Sequence, residues 1–329
     1  MEGIVQVEGN FSAPFKIKSG VKQGCVLAPT LFGIFFSVML AQAFGTATEG
    51  IYLHTRSDGK LFNLARLKAL TKVQRRQIRD MLFADDAAVV AHSQQELQCL
   101  MNRFSAACDA FGLTISIKKT EVMGQDVPQV PKILINNEEL VVSSSFTYLG
   151  STICDDLSLD KEIDRRIGRA CGTFAKLKKC VWENRNLTIT TKMAVYKACI
   201  LSTLLYGSET WAIYACQEKR LNTLHLKHLR SIMGIRWDHY VTNNSVLERA
   251  GLDSIQSLLK QRRLRWLGHV RRMDDGRIPK DLLYGELTKG KRPQGRPKQC
   301  FRNVCRKDLR VVVGDTCSFQ VSRYLILLL

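Results

Sequence analysis

The sequence is short of several things. Its 22 glycines and 7 prolines in 329 residues exclude a collagenous or low-complexity fibre. Its 11 cysteines follow no framework spacing and include no C-x-x-C, and Cys300 and Cys305 have no histidine nearby. No secretory leader opens the chain, since Met1-Glu-Gly-Ile is not a charged stretch followed by an apolar core. The expectation is an intracellular protein, not a secreted one, with reduced thiols. Leu31–Phe44 is the longest apolar stretch, too short and too interrupted to span a bilayer, and Tyr324–Leu329 is shorter still. No internal repeat is visible. Acidic residues are scarce in one half only. Residues 1–150 carry 15 basic and 13 acidic side chains, whereas residues 151–329 carry 34 and 17. So basic a half suits a polyanion, most often nucleic acid. Its basic segments lack the bulky apolar face of a membrane-surface helix, so no membrane partner is expected.

What is present is a globular composition, 45% hydrophobic and 24% charged, enough for a core and for two or three domains. Residues 1–20 read as a short strand pair around Gly9-Asn10, and residues 20–24 as a loop. Pro29 opens an apolar helix to about Phe44, and residues 45–76 read as a polar, turn-rich insertion. Ser93 caps a helix to Phe111, with Leu97, Leu100, Met101, Phe104 and Cys108 on one face. Leu113, Ile115 and Ile117 alternate as a strand. A hairpin is expected around Asn136-Asn137. After Gly150 the pattern turns helical, over 160–180, 190–206, 216–233, 243–250 and 254–273. The 190–206 helix is apolar nearly all round and is expected to be buried.

Two motifs carry chemistry. Phe83-Ala-Asp85-Asp86 lies between short apolar runs, Ile78–Leu82 and Ala87–Ala91, which can pair and put both aspartates at a hairpin tip. Adjacent carboxylates repel unless a cation relieves them. Mg²⁺ or Mn²⁺, with their oxygen preference, are the fitting ions. Paired ions of this kind catalyse in-line phosphoryl transfer. The second motif is Gly20-Val-Lys-Gln23-Gly24-Cys-Val-Leu-Ala-Pro-Thr-Leu-Phe32. Its glycines permit close backbone approach to a nucleotide or template. Gln23 offers both donor and acceptor to a base or sugar edge.

Together these segments resemble reverse transcriptases of non-LTR, LINE-type retrotransposons, in particular endonuclease–reverse transcriptase open reading frames. Gly20–Phe32 is similar to the block GVRQGCxLSPxLF, and Phe83–Asp86 to the [YF]ADD box. Residues 112–123 resemble GLxINxxKTxxM, and Phe146–Ile153 resembles FxYLGSxI. The order matches too. Downstream, Ile163–Arg169, Leu205–Trp211 and Arg263–Met273 resemble the family's thumb start and its LLYGSExW and RLRWLGHVxRM segments.

The resemblance implies an α+β fold: a partial reverse-transcriptase palm (antiparallel sheet with helices) over 1–154, a helical thumb over 155–240 and a basic helical region with an extended arm over 241–329. It implies Asp85 and Asp86 as metal ligands of a two-metal Mg²⁺ (or Mn²⁺) site, and Lys119 as a proton donor near the pyrophosphate. Gln23, Gly24 and Phe83 would border nucleotide and template. Tyr148, Leu149 and Gly150 would grip the primer. The partners implied are RNA template, DNA primer and dNTPs; protein partners are not indicated. The family carries fingers and a further palm Asp upstream of the Gln-Gly loop, with no counterpart in this sequence, and residues 311–329 depart from the family pattern. The expectation is therefore an N-terminally truncated fragment of an RNA-directed DNA polymerase, inactive alone. The alternatives are a catalytically dead module binding RNA or RNA–DNA hybrid, and a nonfunctional pseudogene product.

Basic stripes at helical spacing are candidates for the nucleic-acid backbone: Arg165, Arg169, Lys176 and Lys179; then Arg262, Arg265, His269 and Arg272. Trp266, beside the second stripe, is read as core. Lys289–Lys298, with Lys291, Arg292 and Arg296, reads as a flexible nucleic-acid-binding or nuclear-targeting arm. Cys216, His225 and His228 lack a fourth ligand, so no zinc is expected.

Overall fold

Four helices start where the sequence supplies a capping oxygen. Ser93, Thr188, Thr242 and Ser254 each accept the backbone N–H three residues on, at 3.2–3.3 Å, satisfying donors that the first helical turn leaves open. The architecture is α+β, described by a computed structural model for residues 2–17, 20, 24–69, 71–125, 127, 129–289 and 298–313. Contacts divide the chain into two units, each built from separate segments: Met1–Glu49, Asp80–Thr120 and Ile133–Leu140 in the first, and Gly50–Arg79, Glu121–Lys132 and Val141–Leu329 in the second.

The first unit is built on helices α1 (Ala28–Phe44) and α2 (Gln94–Ala110). Met39, Ala43 and Phe44 of α1 pack on Leu100, Ala107 and Cys108 of α2. Phe44 stacks parallel to Phe104, with ring centroids 5.9 Å apart. Elsewhere α1 is open: Leu31, Phe32, Ile34, Phe35 and Val38 are exposed. The N-terminal strands are two residues long. Glu2–Gly3 pairs with Phe15–Lys16, and Gln6–Val7 with Asn10–Phe11. A hairpin joins Leu134–Ile135 to Glu138–Glu139 across Asn136 and Asn137, at φ +50° and +67°. The Gln98 amide both donates to the Leu134 carbonyl and accepts its N–H, each at 2.8 Å. The strand expected over Leu113–Ile117 does not form. Leu113 and Ile115 pack onto the α1–α2 core, so that face is buried without a pairing strand, and Ile117–Lys119 closes into a 3₁₀ turn.

The second unit opens with a sheet that the sequence did not suggest. Ile51–Thr55 pairs with Gln74–Ile78 on one side and Glu286–Leu287 on the other, all antiparallel. The residues expected as a turn-rich insertion thus supply two strands, held partly by a segment over 200 positions away. Ser145–Tyr148 and Ser151–Cys154 form a further hairpin. Eight helices follow among the described residues: α3 (Asp160–Lys176), α4 (Ile189–Val195), α5 (Ser202–Leu204), α6 (Ala215–Ile232), α7 (Asn243–Ala250), α8 (Ile255–Arg272), α9 (Ile278–Tyr284) and α10 (Phe301–Val313). Between α4 and α5 the chain stays helical through π turns at Tyr196–Leu201. This composite helix is not buried all round. Met193, Tyr196, Ile200 and Leu204 enter the core, while Ala194, Lys197, Ala198 and Ser202 face out. Small side chains made a half-exposed helix look uniformly apolar.

Helix α8 serves two cores. Ile255 and Leu259 join Ile163, Tyr196, Leu221, Leu229 and Val246 in the larger. Leu264, Leu267 and Val270 join Leu283, Tyr284, Cys305 and Leu309 in the smaller, with Trp266 packed at its margin. Each fully buried leucine contributes roughly 1.5–3 kcal/mol. Two ion pairs are buried too: Glu162–Arg166 at 2.6 Å and Arg263–Asp308 at 2.7 Å.

Candidate functional site

The hairpin carrying the aspartates is shorter than the flanking apolar runs suggested. Asp80 pairs with Val89, Met81 with Ala88, Leu82 with Ala87 and Phe83 with Asp86. Ile78 belongs to the other sheet, opposite Ile51. The connection is therefore Ala84-Asp85, with Ala84 at φ +53°, in the left-handed region used by tight two-residue hairpin turns. Asp85 stands in the turn, while Asp86 is the first residue of the returning strand, directly across from Phe83. That corrects the expectation of both aspartates in the turn. All three side chains are exposed, and neither aspartate is engaged in an ion pair among the described residues. No group of three or more His, Cys, Asp or Glu side chains that could hold a metal occurs among the described residues. Two adjacent, solvent-facing carboxylates still fit Mg²⁺ in donor type, because this ion is commonly held by one or two carboxylates together with water and substrate phosphates.

Gly20 and Gly24 have φ of +90° and +86°, and an added Cβ at either would meet no atom within 4 Å. Backbone conformation, not crowding, is what calls for glycine there. Gln23 lies outside the described residues. Lys119 ends the 3₁₀ turn and is exposed. Asp85, Asp86, Gly24, Phe83 and Lys119 all belong to the first unit.

Tyr148, Leu149 and Gly150 belong to the second unit, at the tip of the Ser145–Cys154 hairpin. Leu149 and Gly150 both have positive φ, +48° and +81°. Three side chains hold this tip. Arg166 of α3 donates to the Gly150 carbonyl at 2.5 Å and to Glu162 at 2.6 Å. Glu162 in turn accepts the Thr152 N–H at 2.7 Å. The Tyr206 hydroxyl donates to the Leu149 carbonyl at 3.0 Å, and the Arg166 guanidinium lies 4.5 Å above the Tyr206 ring. Sequence reading placed Arg166 and Tyr206 in separate similar segments but missed that they close on one turn. A buried Arg–Glu pair that makes further hydrogen bonds to the backbone is the arrangement that makes such a pair tolerable.

The basic residues sort into two kinds. Arg169, Lys176, Lys179, Arg265 and Arg272 are exposed, as is His269. Arg165 is half-buried and donates to Thr147 and Thr152 of the hairpin, and Arg262 donates to the Leu205 carbonyl at 3.0 Å. Lys291, Arg292 and Arg296 lie outside the described residues. His225 and His228 are core residues. His225 Nδ1 is 3.0 Å from the Tyr196 hydroxyl, and the His228 ring stacks on Phe174 at 4.0 Å. Burial pushes both imidazoles down to about 4. Cys216 is exposed and does not join them.

Residues 1–153 match the family described as reverse transcriptase (RNA-dependent DNA polymerase). A transposon-derived protein of Caenorhabditis elegans is 24% identical over 255 residues, covering 74% of this chain and 90% of that protein. The RNA-directed DNA polymerase from mobile element jockey of Drosophila melanogaster is 25% identical over 243 residues, 71% of this chain. Its counterpart from Drosophila funebris is 23% identical over 242 residues, again 71%. The match spans only 24% of either jockey polymerase. Residues 1–153 thus resemble a reverse-transcriptase domain, and the chain is similar over about seven tenths of its length to transposon RNA-directed DNA polymerases. No helix among the described residues is long and apolar enough to cross a membrane.

Proposed function

We propose that this chain holds the acidic hairpin and the helical, nucleic-acid-gripping part of a transposon RNA-directed DNA polymerase that extends a DNA primer on an RNA template. The observation that carries this reading is the exposed Asp85-Asp86 pair on a two-residue hairpin connection within a chain of this resemblance. A Mg²⁺ ion held by these carboxylates would supply the charge stabilisation for attack of a primer 3′-hydroxyl on a dNTP. Asp85 and Asp86 hold that charge at the turn, and Phe83 presents a ring on the same strand pair. Gly20 and Gly24 keep side chains away from the strand or nucleotide. Lys119 offers a proton toward the leaving pyrophosphate. In the second unit, Tyr148, Leu149 and Gly150 set the primer end on a turn held by α3 and Tyr206. Arg169, Lys176, Lys179, Arg265 and Arg272 meet phosphates. Palm, thumb and basic C-terminal region are our assignments for the three stretches.

A second reading, binding without synthesis, is favoured by one observation: no third acidic side chain stands beside the pair among the described residues. One experiment separates the two. The purified chain is given an RNA template, an annealed DNA primer, dNTPs and Mg²⁺. Incorporation that vanishes in Asp85→Asn establishes synthesis. Tight, salt-sensitive hybrid binding, equal in both proteins and without incorporation, establishes the binding module. Failure of both proteins to bind the hybrid sinks both readings.

A further inference from the structure

The loop between α6 and α7 carries two aromatic side chains that the readings above leave unused. Trp237 is 85% exposed and Tyr240 86% exposed. Large aromatic side chains normally gain by burial, so two nearly bare rings three positions apart are unusual. Among the described residues neither ring stacks on another ring or carries a cation.

The loop is not slack. Trp237–His239 forms a 3₁₀ turn, and the Tyr240 N–H returns to the Trp237 carbonyl at 3.4 Å, which puts the two aromatics at the ends of one turn. Tyr240 has φ +47°, a left-handed conformation that a bulky residue adopts only when its surroundings impose it. They do so from both sides. The Ile235 N–H donates to the Arg230 carbonyl at 2.9 Å. The Arg230 side chain donates to the Val241 carbonyl at 2.7 Å and to Asn243 at 3.0 Å. Ile235 and Val241 pack on the larger core. The turn is thus a fixed mount whose two rings face solvent.

We propose that Trp237 and Tyr240 form a stacking platform for unpaired nucleobases of a single-stranded RNA or DNA segment. Every base offers a π face, so such a platform is sequence-tolerant. Arg236 and His239, exposed on the same turn, can meet the accompanying phosphates, with Asp238 as the one local opposing charge. The strong excess of cations in residues 151–329 favours a nucleic acid over an apolar protein surface as the occupant. The inference rests on the nucleic-acid reading above and adds to it a site for the single-stranded part of the substrate.

Tryptophan emission provides the test. Trp182 and Trp211 are buried and Trp266 is packed against the smaller core, so a quencher in solution reports Trp237. The full chain is titrated with a short single-stranded oligouridylate and, separately, with an RNA–DNA hybrid. The expected result is quenching by the single strand, an affinity about tenfold lower in Trp237→Ala, and hybrid affinity unchanged. Trp237→Phe is expected to keep the affinity and lose the quenching. Because the residue is exposed, thermal unfolding of both variants should match the parent and show that the fold is intact. Single-strand binding with no quenching and no loss in Trp237→Ala overturns the platform while leaving the nucleic-acid reading in place. Quenching that follows protein concentration without RNA overturns it in favour of a contact between copies of the chain. No binding of either probe overturns both.

Discussion

The two units solve the problem of stability differently. In the second, two cores are fed by one continuous helix, α8, and are closed by buried ion pairs. In the first, α1 meets α2 along one short face, the N-terminal strands are two residues long, and Val7, Phe11, Leu31 and Ile34 lie in solvent. The chemical motif sits in the thinly packed unit, and the cation-rich helices sit in the well-packed one. The difference teaches that a helical surface rich in cations can be fixed by shared cores, whereas an acidic turn needs only a short ladder to define it.

The strongest way to break this contrast is to damage the second unit where it should matter most. Asp308→Ala strands Arg263, a side chain only 3% exposed, without its carboxylate. It should cost about 3–5 kcal/mol in denaturant unfolding followed by far-UV circular dichroism. A loss under 1 kcal/mol would show that the smaller core opens easily and that the contrast is overstated.

Acid gives the next largest effect. His225 and His228 are held neutral by burial, with Lys227 adding repulsion at His228, and both are pushed down to about 4. Their folded-state values lie below the unfolded one, so the unfolded chain binds more protons between the two. The stability they protect is complete above about pH 6.5 and falls as pH drops towards 4. By pH 5 each histidine should cost about 2 kcal/mol. Replacing both with apolar residues should flatten that slope, as read by unfolding curves at a series of pH values. An unchanged slope would contradict their burial.

The smallest effect sharpens the picture locally. Tyr206→Phe removes the hydroxyl bonded to the Leu149 carbonyl and should cost about 1 kcal/mol. Amide exchange should quicken at Leu149 and Gly150 and not in α6. Uniformly faster exchange would mean that Tyr206 matters to the bundle and not to the turn.

Local signals made much of this legible. Ser93 announced a helix start, and the apolar face of α2 followed from spacing. The flanking apolar runs located the acidic hairpin, missing that Ile78 pairs in another sheet and that Asp86 begins a strand. What failed was non-local. Nothing around Ile51–Thr55 tells of Glu286–Leu287, and nothing in the alternation of Leu113–Ile117 says whether its apolar face meets a strand or a helix pair. Charge misled as well. Arg166 and Arg263 look like surface residues in a basic stretch, yet both are buried, Arg166 against Glu162 one turn earlier on its own helix and Arg263 against the distant Asp308.

The π turns at Tyr196–Leu201 give one last consequence. A π bulge behaves as one extra residue slipped into an α-helix, and one residue of α-helix is about 100° of rotation. Tyr206 follows that irregularity by a few positions. Its hydroxyl reaches the Leu149 carbonyl from just beyond a helix that is out of phase with an ideal one. Shortening that stretch by a single residue would aim the phenol elsewhere and leave the hairpin crown without its bolt, although no residue of the crown had been altered.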